Sequence, residues 1–232
     1  MITLRRSDQR RHIKSASQDT WLTFDPESHV DPMRHGFHAL ESLNEEHPAP
    51  EMGLLNHRQG DIEIITYVRT GTLIQQKNPG RMGRIQAGEF QHTRAGGGVE
   101  HRSLNASLVE TANVFQSCIT LDRPDLKPLQ QLKHYPLSDR EGILKLVVSP
   151  DGGEKSLRIH PDVRMYSSVL LLGHHLIHEL DKGRGAWLHV VKGRIQLRDY
   201  YLGTGDGAAL DHEAVVSFTA QQPSEIILFD LA

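Results

Sequence analysis

NHRQGDIEIITYVRTGTLIQQKNPGRMGRIQAGEFQHTRAGGGVEHRSLN, residues 56–105, is the stretch on which the fold turns. A polar segment carrying His57 and Gln59 runs into the strand-like EIITYV of 63–68. Gly71 ends that strand, a second strand follows, and after the turn NPGRMG comes the pair Gly88-Glu89 and then FQH. The stretch closes on the glycine-rich AGGG of 95–98 and on His101. Two histidines far apart in sequence, each beside a β-type segment, can converge inside one small barrel and share an ion.

Working outward, the same grammar recurs near the C-terminal end. WLHVV ends in Lys192-Gly193, RIQL follows, and after a turn comes Gly205-Asp206 and then GAAL. Each half reads strand, Gly, strand, turn, Gly-acid, strand. Glycine supplies the positive φ that tight turns between barrel strands require, and the acidic residue after it can bond local backbone donors. Nine short runs rich in Ile, Val, Leu and Tyr, among them 62–68, 114–121, 186–191 and 225–231, are bounded by Gly, Pro, Asp or Asn. This spacing indicates an all-β chain with few short helices. Helical periodicity is expected only around Pro128–His134 and Ser138–Gly142, and the Pro-containing, charged segment 122–142 separates two β-rich halves. The domains expected are 1–135 and 136–232.

Composition removes several classes of function. With 232 residues, 38% hydrophobic and 24% charged, the chain can bury a substantial core, and no apolar run reaches the roughly 20 residues of a membrane span. A net charge of −3 argues against a nucleic-acid footprint. MITLRRSDQRRHIK is basic without a following apolar stretch, so no secretory signal is read there. The single cysteine, Cys118, excludes an internal disulfide, fits a cytoplasmic location, and reads as a small buried hydrophobe. AGGGV and GTGDGA match no phosphate-binding pattern and are read as turns.

NEEHPAPEMG, EIITYV, Gly71, AGEFQ at 87–91, AGGG, HRSLNAS at 101–107 and VVSPDG at 147–152 together resemble the pirin family of bicupins. The resemblance covers nearly the whole chain. It implies two double-stranded β-helix (jelly-roll) barrels in tandem, the first holding iron or another divalent metal through three histidines and a glutamate, the second carrying no metal. Some bacterial members resemble quercetin 2,3-dioxygenases, and animal pirin resembles a redox-responsive nuclear cofactor.

Carried over residue by residue, the ligand pattern falls on His57, Gln59, His101 and Ser103. Glutamine stands where the second histidine is expected, and serine where the glutamate is expected. Residues at i and i+2 of a strand share a face, so four inward groups remain, but two of them are neutral oxygens. A site without a carboxylate lacks the charge that helps hold Fe(II). Glu63 is near in sequence, whereas Glu100, beside His101, is expected to face away. The expectation is therefore a divalent metal (Fe, Ni, Zn or Mn) bound weakly through His57 and His101, or none.

His92, between the two ligand pairs, is a candidate for the cavity wall. HHLIH at 174–178 lacks the glutamate of the zincin motif and is read as a β-segment or solvated loop. His35 and His38 are read as surface or packing residues. No catalytic residue is assigned. Three functions fit: a small-molecule-binding or regulatory protein using the first barrel, which is the reading preferred; a metal-dependent dioxygenase of the quercetinase kind; and a cupin isomerase. A monomer or weak homo-oligomer, free of nucleic acid and membrane, is expected.

Overall fold

The computed structural model describes residues 1–54, 62–77, 81–94, 102–121 and 126–232. His57, Gln59, Glu100, His101 and the AGGG loop lie outside them. The chain begins β1 (Ile2–Arg5), β2 (Arg11–Lys14), β3 (Gln18–Leu22), β4 (Leu40–Pro48), β5 (Ile62–Thr70), β6 (Thr72–Lys77) and β7 (Arg81–Gln86). It continues through β8 (Glu89–Arg94), β9 (Arg102–Asn105), β10 (Asn113–Thr120), β11 (Leu129–His134) and the one-turn helix α1 (Leu137–Arg140). The remainder is β12 (Lys145–Ser149), β13 (Leu157–Arg158), β14 (Val163–Leu170), β15 (His175–Glu179) and β16 (Gly185–Lys192). Last come β17 (Arg194–Leu197), β18 (Tyr200–Gly203), β19 (Gly207–Leu210), β20 (Val215–Ala220) and β21 (Ser224–Leu231). The chain is nearly all β, as expected.

Two compact units divide it. Arg11–Gly36 and Leu40–Tyr135 form one; Pro136–Ala232 with Met1–Arg10 and Phe37–Ala39 form the other. The first contains a seven-stranded sheet, β11-β8-β5-β10-β4-β3-β2, and a three-stranded sheet, β7-β6-β9. The second contains β1-β19-β16-β21-β14-β12-β13 and β15-β20-β17-β18. The large sheets correspond place for place, β8 to β19, β5 to β16 and β10 to β21, which is the structural form of the repeat. Gly71 and Gly193 have φ of 88° and 96°, and Gly88 and Gly205 both 83°, all in the left-handed region. At Gly193 a Cβ would lie 2.5 Å from the Pro223 carbonyl oxygen, so backbone approach as well as φ requires glycine.

Three local expectations are corrected. Residues 1–10 join the second unit, not the first, because Ile2 and Leu4 pack on its core and β1 pairs with β19, Ile2 opposite Leu210. The segment 128–134 is not helical: β11 pairs with β8 along its length. Its glutamines find partners on both sheet faces, Gln130 on Gln75 and Gln131 on His92, and ladder pairing overrides local helical spacing. NPGRMG is already strand from Arg81 onward, opposite β6.

The second unit is closed by polar groups at one end of its hydrocarbon core. Asp230, 2% exposed, bonds His178 Nε2 at 2.9 Å and Arg184 Nε, while Arg184 also donates to Asp162 at 2.8 Å. Burial alone would raise the Asp230 carboxyl, but the hydrogen bonds from His178 and Arg184 outweigh it and hold it below its ordinary value. A depressed carboxylate contributes stability above its unfolded pKa, and that stability is lost as pH falls through the folded one. Urea unfolding of Asp230→Ala is expected to show a loss of about 3 kcal/mol at pH 7 that shrinks below pH about 4. A loss that does not change with pH would contradict this account.

Candidate functional site

The interior of the first barrel follows from strand alternation and register. On β5, Ile64, Thr66 and Val68 share a face, and Val68 packs with Leu73, Ile85, Ala112 and Val114, bringing the large and small sheets together around an apolar end. Across the ladder Thr66 stands opposite Gln91 and Gln116, and Ile64 opposite Thr93. On the small sheet Leu73 stands opposite Asn105, and Gln75 opposite Ser103. Beyond the apolar end, Thr66, Gln75, Gln91, Thr93, Ser103 and Gln116 make much of the inward face amide and hydroxyl, with Ile64 and Cys118 opposite one another beside them.

They bond one another. Gln75 Nε2 donates to Gln91 Oε1 at 2.6 Å, and Gln91 Nε2 donates back to Gln75 Oε1 at 2.8 Å, a closed amide pair joining the two sheets. Gln130 Nε2 donates to Gln75 Oε1 at 2.9 Å, Thr93 Oγ1 to Gln91 Oε1 at 3.2 Å, and Gln75 Nε2 also to Ser103 Oγ at 3.0 Å. Gln116 Nε2 donates to Thr66 Oγ1 at 3.1 Å. Every group bonded in this ring is a neutral amide or hydroxyl.

The second barrel is the internal control. Counting from the paired glycines and through the same ladders, Thr66, Gln75, Gln91, Thr93, Ser103 and Gln116 correspond to Leu188, Leu197, Ala208, Leu210, Phe218 and Leu228. All six of these belong to one buried apolar cluster. One barrel is filled with hydrocarbon where the other keeps polar groups. Polar groups in such positions lower stability unless bonded, so the first barrel is the candidate site of the two. The signal was available in the repeat itself, since Gln75 and Leu197 stand four residues after their glycines and Gln91 and Ala208 three after theirs.

Of the site residues read from sequence, Ser103 lies in this ring. His57, Gln59 and His101 lie outside the described residues. His92 is fully buried but sits between Gln91 and Thr93, so it faces the opposite side of the sheet from the ring. There its Nε2 lies 3.3 Å from Glu63 Oε2, Arg94 lies 3.4 Å from the other Glu63 oxygen, and Gln131 bonds His92 Nδ1 at 3.0 Å. Glu63 is thus turned away from the ring as well. His175 and His178 of HHLIH lie on β15 and bond Ser217 and Asp230. Burial pushes the inward Cys118 thiol up to about 12, which keeps it protonated and unreactive. No helix among the described residues is long and apolar enough to cross a membrane.

Two family models match: one described as Pirin over residues 5–119, and one described as Quercetinase C-terminal cupin domain over 146–231. A quercetin 2,3-dioxygenase of Escherichia coli is 33% identical, with the match covering 100% of this chain and 99% of that protein. A pirin-like protein of Caulobacter vibrioides is 33% identical over 88% of each chain. The crystal structure of bacterial pirin YhhW from Escherichia coli in complex with nickel(II) superposes with a TM-score of 0.91 at 33% identity, over 100% of this chain and 99% of that one. This chain shares the bicupin architecture of that structure.

The amide pair has a measurable signature. Gln75→Leu strands the Gln91 amide in the interior and is expected to lower stability by about 1–3 kcal/mol, whereas Gln75→Leu/Gln91→Leu recovers most of that loss. Urea denaturation of the two single variants and the double variant checks it; strictly additive losses would contradict the pairing.

Proposed function

Because the chain belongs to the pirin family, we propose that it is a bicupin whose first barrel binds a small polar molecule, in a binding or regulatory role, with a metal site too depleted to hold an ion tightly. One observation carries this reading. Ser103, at the position where the family pattern implies a carboxylate ligand, is a neutral hydroxyl whose lone pair already accepts from Gln75, within a ring of neutral groups. A borderline divalent ion wants imidazole and anionic oxygen donors, and this ring supplies neither. The residues present do not fit a tightly held iron or nickel, and no reaction step is assigned to one.

The family frame supports the rest. Among the implied ligands His57 and His101 remain as imidazoles, so weak binding of a divalent ion through them belongs to the reading. His92 faces away from the ring and takes no part in it. A buried, protonated Cys118 accords with a cytoplasmic protein. The chain is taken to act as a monomer or weak homo-oligomer, with the first domain ending at Tyr135.

A second reading is a metal-dependent dioxygenase. It is favoured by the relative named quercetin 2,3-dioxygenase and by the nickel complex of YhhW. The two readings separate on metal analysis of freshly purified protein beside a Gln59→His/Ser103→Glu variant. The expected outcome is well below one metal per chain in the natural protein and a clear gain in the variant. Near-stoichiometric metal in the natural protein, with oxygen uptake on adding a flavonol, would replace the first reading with the second.

A further inference from the structure

The hydrogens of the ring can be counted. An amide has two acceptor lone pairs and two donor hydrogens; a hydroxyl has one hydrogen and two lone pairs. Gln75 uses all four valences: Oε1 accepts from Gln91 and Gln130, and Nε2 donates to Gln91 and Ser103. Gln91 Oε1 accepts from Gln75 and Thr93, so it is full, but its Nε2 has one hydrogen left. Thr93 has used its hydrogen on Gln91. Ser103 accepts from Gln75 and keeps its own hydrogen, and Gln130 keeps one of its two. No other partner takes these three hydrogens among the described residues.

The remainder has a direction. Gln75 and Gln91 are each 3% exposed, while Ser103 and Gln130 are half-buried. The network therefore has a dry end, where the amide pair is closed, and a wet end, where unused N–H and O–H groups collect. A cation site needs converging lone pairs. At the buried amides only a hydrogen is left over, on Gln91 Nε2, while Ser103 and Gln130 keep hydrogens as well as lone pairs.

We infer that the ring, through the buried Gln91 hydrogen and through Ser103 and Gln130 at its wet end, binds small molecules by an sp² acceptor oxygen, a carbonyl or a carboxylate. The inference rests on the reading of this barrel as depleted of metal, and it specifies the ligand. The closed amide pair fixes the polarity of the buried part: with every Gln75 valence and both Gln91 lone pairs engaged, the one valence left there is the Gln91 donor. An sp² oxygen accepts two such hydrogens in the plane of its lone pairs, and the buried Gln91 hydrogen gains the partner it lacks.

The test is an NMR titration of the full-length ¹⁵N-labelled protein, following the side-chain amide resonances of Gln75, Gln91 and Gln130. Acetate is the charged probe and N,N-dimethylacetamide the neutral one, which accepts hydrogen bonds and cannot donate them. A saturable shift of the Gln91 amide with either probe is expected, and whichever saturates at lower concentration identifies carboxylate or carbonyl. Ser103→Ala should weaken it by at least about fivefold and Ser103→Thr, which keeps the hydroxyl, should retain it. No saturable shift with either probe, or equal affinity in Ser103→Ala, overturns the inference. Nickel(II) is titrated separately: broadening of the Gln75 and Gln91 amides at one equivalent overturns the metal-poor reading itself. Failure of the two oxygen probes without that broadening defeats only the inference.

Discussion

A fully buried inward side chain in a β-barrel has no bulk water to fall back on, so it must be hydrocarbon or have its hydrogen bonds completed by neighbours. Both answers occur in this one molecule. At six matched positions the second unit chooses Leu188, Leu197, Ala208, Leu210, Phe218 and Leu228, and the first chooses Thr66, Gln75, Gln91, Thr93, Ser103 and Gln116. The Gln75–Gln91 amide pair makes the second choice tolerable by tying the small sheet to the large one through two reciprocal bonds. Everything proposed for the first barrel follows from how those bonds leave the surrounding groups.

The architecture was legible where backbone chemistry speaks through residue type. Gly71, Gly88, Gly193 and Gly205 mark the repeat because their left-handed φ is unfavourable for other residues, and this placed two β-rich halves in order. Strands without an apolar signature were not legible. β4 buries Asn44, Glu45 and Glu46, and β11 carries glutamines on both faces, so neither announces itself by alternation. β1 is four residues long, and only its ladder with β19 reveals its unit. The site was half legible. Position 103 could be picked out by family pattern, but Gln75 in LIQQK reads as a solvent-facing residue until register turns it inward.

The same scaffold carries relatives named as dioxygenases and relatives named only as pirin-like, which is what a fold that leaves chemistry to a few inward residues permits. A change from carboxylate to hydroxyl at one strand position alters the charge of the site without disturbing a single ladder bond. The Glu63–His92–Arg94 cluster lies behind the same sheet, out of reach of the ring. Proximity in sequence is therefore a poor guide to which polar residues act together here, and the parity of each strand decides it.

The N-terminal strand carries an implication for biogenesis. β1 is made before the first unit, yet its partner β19 is made only after all of that unit and most of the second have been synthesised. The first unit has all its segments once Tyr135 has emerged and can fold as the chain grows, while Ile2 and Leu4 must wait unpaired for a contact of very long sequence separation. Closure of the second unit must thus wait for β19, and a nascent chain halted before it would hold one finished barrel and one orphan strand.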